Sequence, residues 1–148
     1  MNAIFKMDIG DIKFRLYDEA PIQVRRFCFN ANNGCFKNIS FDRVIPGFMV
    51  QSGPNARPDG EPHTYMWDEH ETPRRTKNNN FHAYGVLSAA NASSPNSSMG
   101  GFFICLSRRG TRHLDTAHTT FGHVIEGIEL IEQIKSGDVV HNIIITES

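Results

Sequence analysis

Apolar and polar residues alternate along much of this chain, which is the pattern of β-strands with one buried face. Residues 3–8 and 12–17 alternate around Ile9-Gly10-Asp11, and this arrangement predicts a β-hairpin at the start of the chain. The same reasoning predicts further strands at residues 84–90, 102–106, 120–125 and 140–146.

Two segments instead show the spacing of helices. Pro21 suits the first turn of a helix, and the apolar residues that follow it recur at helical intervals, at Val24, Phe27, Cys28 and Ala31. Asn32-Asn33-Gly34 tolerates the left-handed conformation that ends helices. Residues 126–135 predict a second, shorter helix. Many short strands without βαβ alternation predict a mainly β, antiparallel barrel or sandwich, in one domain over residues 1–148.

Residues 41–53, with the sequence FDRVIPGFMVQSG, interrupt this simple pattern. They place Arg43 inside an apolar, strand-like run that Pro46-Gly47 breaks, with Gln51 on the far side. A guanidinium in apolar surroundings is costly unless it is paired. The segment is therefore either a surface charge paired with an acidic residue such as Asp42, or a site that holds an apolar ligand and hydrogen-bonds it at one point.

Composition argues against several classes of function. The net charge is −1, with 15 basic and 16 acidic residues, which argues against a nucleic-acid partner bound through a broad basic face. The basic clusters Arg74-Arg75-Thr76-Lys77 and Arg108-Arg109 are expected to be solvated loops. We see no signal peptide and no apolar run long enough to span a membrane. Three cysteines without CxxC spacing favour a reducing compartment, so a cytoplasmic protein is expected.

No cofactor or metal is expected. His63, His70 and Glu71 occupy one acidic stretch, but their spacing fits no compact zinc motif. Cys28 and Cys105 are interpreted as buried thiols. Residues 54–80 form a long polar excursion, rich in proline, that predicts no regular element.

Four separated segments resemble the cyclophilins, the barrel-type peptidyl-prolyl isomerases, in the right order. They are residues 41–53, residues 85–92 with the triplet Ala90-Asn91-Ala92, residues 102–105, and residues 114–124. The tail from 127 to 145 also fits the family's last helix and strand. The resemblance implies an eight-stranded antiparallel closed barrel capped by two α-helices, with its binding groove on the outside because a small barrel is filled by side chains.

The resemblance also implies a set of roles. Arg43 would be the catalytic donor, and Gln51 would orient it or hydrogen-bond the substrate carbonyl. A planar peptide bond resists rotation, and a fixed donor aimed at the prolyl nitrogen would stabilise the twisted amide. The remaining residues implied to bind substrate are Phe48, Met49, Phe103 and Leu114 as the proline pocket, His118 at its edge, and Ala90, Asn91 and Ala92 beside the peptide.

Two positions depart from the family pattern. Gly101 stands where a glutamine is usual, and His113 stands where a tryptophan is usual, so both alter the rim of the substrate groove. Since that tryptophan helps to hold cyclosporin, we predict weak cyclosporin binding with catalysis retained. The partners implied are proline-containing peptides and folding proteins, and the protein is expected to be a monomer. The alternative is a non-catalytic scaffold on the same fold that binds proline-containing peptides.

Overall fold

The computed structural model describes residues 1–55, 81–90, 101–115 and 117–147. These residues form nine strands: β1 (Asn2–Met7), β2 (Gly10–Leu16), β3 (Ile39–Ser40), β4 (Arg43–Ile45), β5 (Met49–Ser52), β6 (Val86–Ala89), β7 (Phe102–Cys105), β8 (Thr120–Glu126) and β9 (Val139–Thr146). They also form the helices α1 (Pro21–Asn32), α2 (Arg108–Thr111) and α3 (Ile128–Ile131), with a 3-10 turn at Arg112–Leu114.

The strands form one antiparallel sheet in the order β3-β9-β1-β2-β8-β6-β7-β5-β4. Its two end strands, β3 and β4, are separated in sequence by only Phe41 and Asp42. The sheet must therefore curl until its ends meet. The hydroxyl of Ser52 on β5 donates to the carbonyl of Ser40 on β3 at 2.6 Å, which joins the two ends.

The interior of the curled sheet is packed with phenylalanine. Seven phenylalanine rings on strands, helix α1 and loops are almost completely buried: Phe5, Phe14, Phe27, Phe36, Phe41, Phe102 and Phe121. Rings of this size contribute most of the apolar area that stabilises a small domain. The interior is therefore filled, and any groove must lie on the outer surface.

The alternation of residues along the strands produces a second, smaller apolar cluster outside the barrel. On β7, Phe102 and Ile104 face the main core, whereas Phe103 and Cys105 belong to the outer cluster with Met49 and Val86. A strand points successive side chains to opposite faces, so one short strand supplies both clusters.

The predicted mainly β, antiparallel fold is confirmed, as are the first hairpin and helix α1 with Pro21 in its first turn. The described residues form nine strands rather than the expected eight, because the segment before Pro46 divides into β3 and β4, which pair with different neighbours. Among the helices in these ranges, none is long and apolar enough to cross a membrane.

Two predicted boundaries were wrong. The strand predicted to begin at Tyr84 begins at Val86, because Gly85 adopts a left-handed φ of 82° and a turn joins the Val86 amide to the Ala83 carbonyl. The helix predicted over residues 126–135 is only the four residues of α3. Glu126 still belongs to β8, and Gly127 turns the chain with a φ of 81°.

Candidate active site

Four side chains lie in one row across neighbouring strands on the outer face. Arg43 on β4 is opposite Gln51 on β5, Gln51 is opposite Phe103 on β7, and Phe103 is opposite Ser88 on β6. Side chains that are directly opposite share a face of the sheet. The Arg43 Nη1 donates to Gln51 Oε1 at 3.4 Å, and Arg43 is otherwise exposed. The row therefore begins at the exposed guanidinium of Arg43, continues through the amide of Gln51 and reaches the buried ring of Phe103.

The outer apolar cluster lines the surface beside this row. Met49 and Phe103 are almost fully buried, at 2% and 4% exposure, while Phe48, Ala90 and Leu114 pack against them and remain half-buried. Together they form an apolar surface that is buried at Met49 and Phe103 and partly open to solvent at the other three residues. The structure thus brings together the four residues that the resemblance implies for a proline pocket.

His118 lies beside Phe103 at the edge of this surface. Its ring meets the Phe103 ring edge-on, with the centroids 5.5 Å apart at 84°. Its Nδ1 is 2.9 Å from the Ala89 carbonyl oxygen, so this nitrogen carries the proton and donates. The adjacent Ala90 amide donates to the carbonyl of Gly101 at 2.9 Å, which places Gly101 at the same end of the sheet. Asn91 and Ala92 lie outside the described residues.

The opposite rim is formed by α2 and the 3-10 turn. His113 is exposed, and its ring stacks on Phe48 at 5.9 Å and 29°. The Ser107 hydroxyl donates to the Gly47 carbonyl at 2.7 Å and accepts the Gly110 amide at 2.8 Å. A side chain on Gly110 would collide with the Gly47 carbonyl oxygen. These contacts hold the rim against the Pro46-Gly47 turn.

Behind Phe103 lies a buried polar group that the sequence did not reveal. His82 has no exposed surface, and its ring stacks on Phe103 at 6.0 Å and 16°. Its Nδ1 and its backbone amide are 3.0 and 2.9 Å from the same oxygen, Asp115 Oδ1. Its Nε2 is 2.7 Å from Ser88 Oγ. Arg108 donates to the other Asp115 oxygen at 2.7 Å and to the His82 carbonyl at 3.0 Å.

This geometry assigns the protonation states. Burial is the largest influence on His82 and lowers the pKa of its imidazole from 6.5 to about 4, against the opposing effect of Asp115. Burial alone would raise the pKa of Asp115, but hydrogen bonds from His82 and Arg108 outweigh it, and that pKa is lowered. A carboxylate only accepts, so the neutral imidazole donates through Nδ1 and receives the Ser88 hydroxyl at Nε2.

Sequence reasoning missed His82, Asp115 and Ser88, although two of them lie inside the matched segments. Asp115 directly follows Leu114, and Ser88 lies two residues before Ala90. A hydroxyl in the otherwise apolar stretch 85–90 could have drawn attention to Ser88, whereas Asp115 stands among polar residues and the local sequence gives no such signal for it or for His82. Arg108, which was expected to be solvated, keeps 46% of its side chain exposed but ion-pairs with Asp115.

Other chemistry at the site is limited. Burial raises the pKa of the Cys105 thiol to about 12, so this cluster residue is not a thiolate at neutral pH. Within the described ranges, no three histidine, cysteine or acidic side chains gather as a metal site. His63, His70 and Glu71 lie outside those ranges. The arrangement can hold an apolar ring and present a guanidinium and an amide beside it.

Comparison with protein families identifies this architecture. Residues 3–147 match the model for cyclophilin-type peptidyl-prolyl cis-trans isomerases. The chain belongs to this family. A cyclophilin-type isomerase from Cryptosporidium parvum, solved in the presence of the dipeptide Ala-Pro, is similar over 100% of both chains, with a TM-score of 0.79 and 26% identity. The predicted family is therefore confirmed by both sequence and fold.

Relatives of two sizes match this cyclophilin domain. The peptidyl-prolyl cis-trans isomerase of Synechococcus elongatus is 33% identical over 99% of this chain and 98% of its own length. Peptidyl-prolyl cis-trans isomerase B of Bacillus subtilis is 35% identical over 96% of both chains. The isomerase cyp15 of Rhizopus delemar is 37% identical, but this chain spans only 21% of its length. The same domain thus occurs both alone and within longer proteins.

Proposed function

We propose that this protein is a peptidyl-prolyl cis-trans isomerase that accelerates the rotation of X-Pro bonds in peptides and folding proteins. The observation that carries the proposal is the cross-strand row, in which Arg43 is in register with Gln51 and Gln51 with Phe103. A permanent charge with a rigid set of donors is held beside an apolar wall by the pairing of three strands. Family membership supports the same reaction.

The reaction needs neither a nucleophile nor a metal. Rotation about a peptide bond meets a barrier of about 18–20 kcal/mol because the nitrogen lone pair is delocalised into the carbonyl. In the twisted transition state that lone pair returns to the prolyl nitrogen, which becomes a hydrogen-bond acceptor. A donor that reaches this nitrogen therefore stabilises the transition state more than the planar ground state. We assign this donor to Arg43.

Gln51 has a double role in this proposal. Its Oε1 accepts from Arg43, which limits the orientations of the guanidinium. Its amide NH₂ would then donate to a substrate carbonyl. Because the register of β4 and β5 places the two side chains directly opposite each other, the pair is preorganised before substrate binds.

The proline ring would bind against Phe48, Met49, Phe103 and Leu114, which exclude water from the twisting amide. His118 and Ala90 would border the peptide at one end, followed by Asn91 and Ala92. The relative from Cryptosporidium parvum was solved in the presence of Ala-Pro, and a dipeptide of this kind is a suitable minimal ligand for this groove.

Substitution of Arg43 tests the proposal. We expect Arg43→Ala to lower kcat/KM by about 10²–10³, the usual cost of removing one transition-state donor. Folding should be almost unaffected, because Arg43 is exposed and its hydrogen bond to Gln51 is long, at 3.4 Å. The control is Arg15→Ala, which removes an exposed arginine from β2. NMR exchange measurements on an Ala-Pro peptide would report the rate.

Two results would contradict this assignment. An Arg43→Ala variant as active as wild type would remove Arg43 from the reaction. A wild-type protein that binds the peptide without accelerating its exchange would replace the isomerase with a non-catalytic scaffold that binds proline-containing peptides.

We further propose that the altered rim weakens cyclosporin binding. The exposed imidazole of His113 covers less apolar area on Phe48 than an indole would, and it lacks the indole N–H at that place. His113→Trp should therefore bind cyclosporin more tightly than wild type, with isomerase activity preserved in both. Sub-micromolar inhibition of the wild-type protein would contradict this proposal.

The expected monomeric, cytoplasmic state also stays a proposal. The three cysteines form no disulfide, with Cys35 and Cys105 buried and Cys28 half-buried, and this suits a reducing compartment. Sedimentation at micromolar concentration would test the monomer, and fractionation of the source cells would test the location.

A further inference from the structure

We propose that His82 is a positioning residue for the proline pocket, acting through Phe103 and Ser88. This inference rests on the proposed function, since it concerns how the wall of the same pocket is held. His82 does not touch the expected substrate surface, because its ring is fully buried behind Phe103.

The ring of His82 packs flat against the ring of Phe103 and supports it from the buried side. The two rings are nearly parallel, at 16°, and His118 meets both rings edge-on, at 81° and 84°. Phe103 therefore lies between a buried imidazole behind it and a half-buried imidazole beside it. In a close-packed cluster, the orientation of one ring is determined by its neighbours. A shift of His82 would move the apolar wall that the proline ring must contact.

The hydrogen bonds of His82 connect two separate parts of the pocket. Nδ1 and the backbone amide are bonded to Asp115, whose chain neighbour Leu114 packs on the outer cluster. Nε2 is bonded to Ser88, which is directly opposite Phe103 in the sheet. The segment that carries Leu114 and the strand pair that carries Phe103 are thus connected through the imidazole of His82.

The Ser88 hydroxyl gives this connection two possible directions. It lies 2.7 Å from His82 Nε2 and 3.3 Å from the Thr119 carbonyl, but a hydroxyl has one proton to donate. With neutral His82 it donates to Nε2. If His82 carried a second proton, Nε2 would donate instead, and the hydroxyl would turn to Thr119 beside His118. In the neutral state, Nδ1 therefore donates to Asp115, beside Leu114, and Nε2 accepts from Ser88, opposite Phe103.

The test replaces His82 with phenylalanine, which retains a flat ring against Phe103 and removes both side-chain hydrogen bonds. The matched control is His123→Phe, because His123 is a partly buried histidine that likewise has a lowered pKa, and its Nδ1 lies 3.2 Å from the Tyr17 hydroxyl oxygen. Both variants are assayed well below their Tm. We expect His82→Phe to lower kcat/KM at least about tenfold through a raised KM, since small misplacements in a site are costly. The control should retain wild-type kinetics.

A double-mutant cycle separates positioning from general destabilisation. Ser88→Ala should weaken catalysis less than His82→Phe, and the double variant should be no worse than His82→Phe alone, because both act through one hydrogen bond. Binding of an Ala-Pro peptide, followed by NMR titration, gives a second readout that does not depend on turnover.

The outcomes distinguish the two proposals. If wild type binds the peptide without catalysing exchange, the isomerase proposal fails, and a weaker affinity of His82→Phe still supports positioning. Equal affinity and kcat/KM in wild type and His82→Phe would overturn the inference. Additive effects of His82→Phe and Ser88→Ala would overturn it as well.

A separate observation concerns charge. In the two segments that carry the site, residues 41–53 and 101–115, the charged residues are four arginines and two aspartates, although the whole chain carries a net charge of −1. One aspartate, Asp115, is buried and paired with Arg108. Within the described part of the chain, no carboxylate ion-pairs with the exposed Arg109 or Arg112.

Arg109 and Arg112 are three residues apart on the helical rim that His113 and Leu114 continue into the pocket. Like charges at this spacing repel each other and slightly destabilise a helix. Arg43 adds another exposed positive charge to these segments, against the one exposed carboxylate of Asp42. We infer that the groove prefers proline-containing peptides with an acidic residue near the proline, and this also rests on the proposed function.

The test compares three peptides that differ only in one residue flanking the proline, which is Glu, Gln or Lys. We expect kcat/KM to fall in that order, with about a fivefold spread at low ionic strength that shrinks at high salt. The double variant Arg109→Glu/Arg112→Glu should reverse the order, while Arg15→Glu should not. Equal rates for the three peptides would overturn the preference, and no turnover of the Gln peptide would instead refute the isomerase proposal.

Discussion

The buried imidazole of His82 predicts how stability depends on pH. Its pKa is lowered from 6.5 to about 4 in the folded protein, because burial disfavours the charged form. In the unfolded chain the imidazole is solvated and keeps its ordinary value. Between these two values the unfolded state binds a proton that the folded state does not. Stability should therefore fall as the pH falls from 6.5 towards 4.

The size of the effect follows from the two values. The difference between 6.5 and about 4 corresponds to about 3 kcal/mol of unfolding free energy, fully lost only below pH 4. The steepest slope is about 1.4 kcal/mol per pH unit, the value for one proton. Asp115 remains ionised in this range because its pKa is lowered, so it does not oppose the effect.

The assay is urea unfolding at several pH values between 6.5 and 5, a range above the ordinary pKa of carboxylates. Wild type and His82→Phe are compared by slope rather than by absolute stability. His123 also has a lowered pKa and contributes with the same sign to both proteins, so it cancels in the comparison. Equal slopes in the two proteins would refute the assignment of a neutral, acid-resistant His82.

Three other predictions concern the surroundings of the site. Asp115→Ala should lower the unfolding free energy by about 3–5 kcal/mol in urea titrations, because it leaves buried donors unpaired, whereas Asp8→Ala, which removes an exposed hydrogen bond to His141, should cost under about 1 kcal/mol. Gly110→Ala should lower the free energy of unfolding by about 1–3 kcal/mol and raise KM, because the new methyl group would push helix α2 away from the Gly47 carbonyl. Gly137→Ala, in open space at a φ of 91°, should lower stability by only about 1–2 kcal/mol and leave KM unchanged. A thiol reagent at pH 8 should modify the native protein slowly, because burial raises the pKa of the Cys28 thiol to about 11. All three thiols should react quickly once urea unfolds the chain. Rapid modification of the native protein would contradict this prediction.

Local patterns predicted most of the regular elements. The β1–β2 hairpin and helix α1 have clear periodicity and clear end signals, so neighbouring residues alone determine them. The starts of β6 and α3 were predicted wrongly because glycine geometry decided them, and α3 ended early where the amides of Gln133 and Ile134 bond three residues back instead of four. Gly85 and Gly127 take left-handed turns that shorten β6 and α3, and a sequence pattern does not show which glycines will do so.

In the candidate site, too, local sequence revealed some residues and not others. Arg43 and Gln51 stood out because polar residues in an apolar run are unusual, and their separation of eight residues around Pro46-Gly47 suits a hairpin that sets them opposite each other. His82 and Asp115 did not stand out. They are 33 residues apart in the chain, and their contact depends on how the sheet brings distant segments together.

The sequence by itself determined which segments become strands and which faces of those strands are apolar, because these properties depend on the spacing of neighbouring residues. Only the tertiary structure decided that Phe103 and Met49 belong to an outer apolar cluster while Phe102 and Val50 fill the core. It also decided that the buried ring of His82 stacks on Phe103 and is hydrogen-bonded to Ser88. Alternation along a strand defines two faces, but only the curling of the whole sheet determines which of them becomes the interior.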